Sequence, residues 1–113
     1  MGDKKNEYSI GDMILYNVTV NIDQDVEEDW IAWMKETHIP EVMETGFFVE
    51  YRFMKMLSQG ADDTGSTYAI QYLADQLGQL ETYLNTVAPK IQKKSIIRYG
   101  SKLAAFRTVL EEV

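Results

Sequence analysis

The chain has no cysteine, one histidine and two prolines among its 113 residues. Without cysteine there is no disulfide, no thiolate metal centre and no cysteine nucleophile, which favours a reducing cytoplasm. One histidine is too few for an ordinary zinc or iron site, so neither a metal nor another cofactor is expected. A serine triad would need that histidine as base, and no nucleophile-elbow sequence accompanies it. No Gly-rich phosphate cradle precedes a helix; Gly65, Ser66 and Thr67 fall in a loop region instead. Cations are scarce too: 11 Lys and Arg against 18 Asp and Glu give a net charge of −7. That balance repels phosphates and anionic membranes, which makes nucleic acid and membrane poor partners. No apolar run approaches the roughly 20 residues of a spanning helix, and no long hydrophobic segment opens the chain. A soluble cytoplasmic protein is expected.

What is present is periodicity. The polar, glycine-bearing opening Met1 to Asp12 reads as a flexible tail, and Met13 is a candidate natural start because regular alternation begins there. Residues 13–113 then make a single domain, the right length for one core. In Met13 to Ile22 the residues Ile14, Tyr16, Val18, Val20 and Ile22 alternate with a mixed set, the mark of a strand. In the acidic run that follows, Asp25 and Glu28 have capping-box spacing for a new helix. Asp23, Asp25 and Glu27 resemble a calcium loop only until the sixth position, where Glu28 stands instead of the required glycine.

That helix buries Val26, Trp30, Trp33 and Met34, and Pro40 is expected to end or kink it, with a short turn from Glu41 stopping at Gly46. Phe47 to Ser58 reads as a strand, Gln59 to Ser66 as a hairpin loop and Thr67 to Ala74 as the partner strand. Leu77, Leu80, Leu84, Val87 and Ile91 recur at helical spacing, with Pro89 marking a kink or a fresh start and Gly100 a cap. Lys102 to Val113 is the last strand. The order βαββαβ is the ferredoxin-like α+β pattern, a four-stranded antiparallel sheet with two helices on one face.

Two helices cover only one face of such a sheet, and the other carries Met13 and Leu15 of the first strand with, depending on the orientation of the second, either Phe47, Val49, Tyr51, Phe53 and Leu57 or Phe48, Met54 and Met56. At roughly 25 cal/mol per Å², covering about 800 Å² per partner outweighs scattered surface contacts even after association entropy. A homodimer packed through the sheet face is expected. Polar residues alternating with apolar ones, Asn17, Thr19, Asn21, Gln71 and Arg107, are expected on the side of a cavity. They either satisfy one another and buried water or, with Trp30, bind a small apolar or aromatic ligand.

His38 follows Trp30 and Met34 at steps of four, which points it to the boundary between helix and sheet. Its neighbour Pro40 makes it foremost a helix ending, where a protonated imidazole would bond the last carbonyls. The competing reading is general acid/base work at a pocket, with Asn17 and Arg107 stabilising an enolate-like intermediate.

Four blocks of the chain, MILYNVTVNI from Met13, WIAWMKETHIPEVMETG from Trp30, TYAIQY from Thr67 and AFRTVLE from Ala105, resemble a family of small bacterial proteins of unknown function. The resemblance runs from Met13 to about Glu112. It places the family in the wider dimeric α/β-barrel superfamily of antibiotic-biosynthesis monooxygenases, muconolactone isomerases, haem-degrading monooxygenases and stress-responsive barrel proteins. It implies a dimeric α/β barrel with a pocket between sheet and helices. Haem-degrading members use an Asn, a Trp and a haem-binding His, roles that do not align onto Asn17, Trp30, Trp33 and His38 here. Two functions follow as expectations: a small-molecule-binding or structural and regulatory homodimer, or a cofactor-independent monooxygenase or isomerase acting on a small aromatic or enolisable substrate.

Overall fold

A computed structural model describes residues 13–60 and 63–113; the expected tail, Met1 to Asp12, lies outside the described residues. Strand β1 (Ile14–Ile22) leads through a 3-10 turn (Gln24–Val26) into helix α1 (Glu27–Trp33), a π-helical turn (Met34–His38) and helix α2 (Ile39–Glu44). Strands β2 (Glu50–Lys55) and β3 (Ser66–Ala74) follow, then helices α3 (Leu77–Thr86) and α4 (Ala88–Tyr99), a 3-10 turn (Gly100–Lys102) and strand β4 (Leu103–Glu111). The sheet order is β2-β3-β1-β4 and every neighbouring pair is antiparallel. This is the α+β ferredoxin-like fold with its helices on one face.

Strand alternation sorts the side chains. Ile14, Tyr16, Val20 and Ile22 of β1 and Tyr68, Ile70, Tyr72 and Ala74 of β3 are buried beneath Trp30, Met34, Ile39, Val42, Leu80, Tyr83 and Ile91 from the helices. Trp30 is the largest of the fully buried side chains and meets Phe53 and Tyr68 edge-on, ring centroids 5.5 and 5.0 Å away. Beside it, Glu27 accepts hydrogen bonds from the hydroxyls of Ser66 (3.0 Å) and Tyr68, with Lys55 3.6 Å away. Burial and that neighbouring carboxylate push the Tyr68 hydroxyl up to about 12.

Four details depart from the sequence expectation. Asp25 does not cap α1, because its carboxylate is held by Lys102 at 2.5 Å. Nor does Pro40 end the helix. The turn before it widens so that the Ile39 amide reaches back to the Met34 carbonyl, five residues away, and the chain continues helical to Glu44. A π turn absorbs the misfit of a proline whose ring would otherwise crowd the preceding turn. His38 therefore lies inside a continuous helical run and is not a helix ending. Strand β2 is shorter than Phe47 to Ser58; Phe48 leaves the strand alternation and turns into the core, 5% exposed, apart from Met54 and Met56 with which alternation groups it.

Candidate functional site

A cavity of about 50 Å³ opens between the helical layer and the sheet. One water needs roughly 10–15 Å³ on this measure, so the chamber has room for a small organic molecule. Its floor is Tyr16, Val18 and Val20 of β1, Ile70 and Tyr72 of β3, and Leu103, Ala105 and Arg107 of β4. Its roof is Trp30 of α1, Met34 and His38 of the π turn, Val42 of α2, Tyr83 of α3, and Ile91, Gln92 and Ser95 of α4. The lining is mostly apolar and aromatic with a few polar groups, the usual make-up of a small-molecule site.

Two of those polar groups have no partner. Nδ1 of His38 and the hydroxyl of Tyr72 are buried and make no hydrogen bond to another described residue. Burial holds the His38 imidazole down to about 4, the Glu41 carboxylate opposing this and the Arg107 and Lys94 charges adding to it. His38 is thus neutral at pH 7, with its ring against Trp33, centroids 5.0 Å apart. Burial also raises Tyr72, Tyr83 and Tyr16, so all three present neutral hydroxyls. At Tyr16 the Arg107 guanidinium and the Gln92 amide pull the other way. A Glu41–Lys94 ion pair, 2.6 Å, ties α2 to α4 beside His38.

Of the candidates named from sequence, Trp30, His38 and Arg107 come together around this chamber. Asn17, Thr19, Asn21 and Gln71 do not; they lie on the opposite face of the sheet. The register explains the split: Arg107 stands opposite Val18, whereas Asn17 stands opposite Gln71 and Thr108. The expectation that Arg107 shares a side with those four is corrected by that one-residue phase difference, since alternate residues face opposite ways. The amide of Asn17 donates to Thr19 (3.0 Å), and that of Asn21 donates to the Thr64 carbonyl (3.0 Å) and the Thr67 hydroxyl (3.2 Å), so both amides are already partnered.

Tyr16, Tyr72, Tyr83, Gln92 and Ser95 were not singled out from sequence. The available signal was a set of three tyrosines at core-facing positions, since a buried tyrosine hydroxyl ordinarily needs a partner. Among the described residues no three His, Asp or Glu side chains gather to hold a metal ion, and no helix is long and apolar enough to cross a membrane.

Residues 13–113 match the family described as Domain of unknown function (DUF4286). The chain belongs to that family. No curated protein matches this DUF4286 chain in sequence. Its solved structural relatives share the fold at low identity. A dimeric ferredoxin-like protein from an uncultured marine organism is 9% identical at a TM-score of 0.70, over 89% of this chain and 95% of that one. An ethyl tert-butyl ether d (EthD) family protein from Bacillus halodurans is 11% identical at 0.67, over 88% and 99%. SnoaB, a cofactor-independent oxygenase from Streptomyces nogalater, is 8% identical at 0.59, over 88% and 91%. The DUF4286 chain thus has a ferredoxin-like fold.

Proposed function

We propose that the protein is a homodimer that binds a small aromatic molecule in the chamber between the sheet and helices of each subunit. The observation that carries this reading is the pair of unpartnered buried atoms, His38 Nδ1 and the Tyr72 hydroxyl, in the lining of an otherwise apolar cavity. A ligand with a hydroxyl or carbonyl in reach can hydrogen-bond both. Dimerisation is supported by the open sheet face, where Phe106, Leu110 and Met54 are 63%, 48% and 44% exposed, and by the dimeric ferredoxin-like relative. Ligand-observed NMR with small phenols and aromatic ketones tests the site. Wild type should bind, and Ala105→Trp, which fills the chamber from β4, should not. Equal binding by the two proteins would overturn the assignment.

A second reading, a cofactor-independent monooxygenase or isomerase, is favoured by one observation: His38 is a neutral imidazole with a free ring nitrogen facing aromatic walls. Such a group can take a proton from an enolisable ligand while Arg107 stabilises the charge that develops. Turnover of an enolisable aromatic ketone that is lost in His38→Asn with binding retained would establish this reading. Binding without turnover in both proteins leaves the binding protein.

A further inference from the structure

We propose that the ligand is a monoanion, a ring-bearing carboxylate or phenolate whose charged end meets Arg107 at the mouth of the chamber and whose ring enters between Tyr16, Tyr83 and Trp30. This rests on the chamber being the ligand site and adds the charge of its occupant.

The local charge is the reverse of the global one. The chain carries a net −7, yet the charged groups acting on His38 are Arg107, Lys94 and Glu41, two cations to one carboxylate. Glu41 is already committed to Lys94 at 2.6 Å. Arg107 also acts on Tyr16 and Tyr83, which places its guanidinium among three lining side chains from β1, the π turn and α3. No carboxylate among the described residues stands within ion-pair distance of it. Arg52, Lys55, Lys94, Arg98 and Lys102 each have a carboxylate partner. A planar guanidinium with donors to spare at the rim of an apolar chamber suits a carboxylate or phenolate oxygen. Behind it the walls are hydroxyls, amide and neutral imidazole, which hydrogen-bond but supply no further charge to a second anionic group. One negative charge is therefore matched at the mouth and none in the interior.

Isothermal titration with three planar probes of nearly one shape separates the possibilities: 4-hydroxybenzoate, 4-hydroxybenzamide and 4-hydroxybenzamidine, which are anionic, neutral and cationic. The benzoate should bind at least about tenfold tighter than the benzamide, the worth of one charge-assisted hydrogen bond, and the benzamidine weakest. Arg107→Gln should bring the benzoate to the level of the benzamide. Lys90→Gln, which removes an exposed cation on α4 outside the lining, should leave the order unchanged. If the benzamide binds as tightly as the benzoate in wild type, the charge assignment is overturned while the chamber remains a binding site. If none of the three binds, both the charge assignment and the ligand site are overturned. The wild-type series stands even if Arg107→Gln fails to fold.

Discussion

At the scale of single residues, His38 is where sequence and structure diverge most instructively. A lone histidine two residues before a proline suggests a protonated helix end, whereas the folded protein holds it neutral, down to about 4 from 6.5, because burial disfavours its charge. The unfolded chain therefore binds a proton between those two values that the folded one does not. Stability should be full above about pH 6.5 and fall as the pH drops towards 4, by at most something of the order of 3 kcal/mol from this residue at about 1.36 kcal/mol per unit. His38→Asn should flatten that part of the stability profile, measured by urea unfolding from pH 7 to 4. Tyr72 offers a second check. Its hydroxyl is buried with no hydrogen bond to another described residue, so Tyr72→Phe should change the stability of the unliganded protein by no more than about 1 kcal/mol in thermal melts. The same substitution should weaken ligand binding.

At the scale of elements, spacing made both helical regions and all four strands legible, because periods of two and near four follow from backbone geometry. Their boundaries were less so. Phe48 belongs by alternation with Met54, yet it is drawn into a ring cluster with Tyr72 and Tyr83, centroids 5.1 and 4.9 Å away. Burying this ring takes Phe48 out of the strand, which begins only at Glu50. The π turn before Pro40 was likewise not encoded as a pattern; it is the compromise between proline sterics and the core positions of Met34 and Ile39. Two glycines make opposite predictions. Gly65 sits at φ +70° in the turn into β3, where an added Cβ would lie 2.8 Å from the Ile22 carbonyl oxygen. Gly65→Ala should destabilise by about 1–3 kcal/mol, since backbone cannot give way cheaply. Gly78, in α3, has open space at its Cβ, and Gly78→Ala should stabilise by up to about 1 kcal/mol. Chemical denaturation of the two variants side by side checks both.

At the scale of the whole molecule, the sheet has one face under helices and one carrying exposed Phe106, Leu110 and Met54. If that open face is the dimer contact, Phe106→Glu should convert the dimer to a folded monomer in sedimentation velocity, with the circular dichroism spectrum retained. The sequence alone determined the βαββαβ order, the two-faced sheet and the exclusion of cysteine chemistry, because composition and side-chain period are local properties that any fold must respect. It also brought Trp30, His38 and Arg107 forward as candidates. What only the tertiary structure decided is which of them meet. Asn17 and Arg107 sit on neighbouring strands, but the pairing of Arg107 with Val18 sends them to opposite faces. The register between β1 and β4 is set by a long-range pairing of 9-residue strands, and one step of slip would exchange every inward side chain for an outward one. The same holds for His38, whose neutral state comes from what the sheet and helices bury around it and from nothing in the residues on either side.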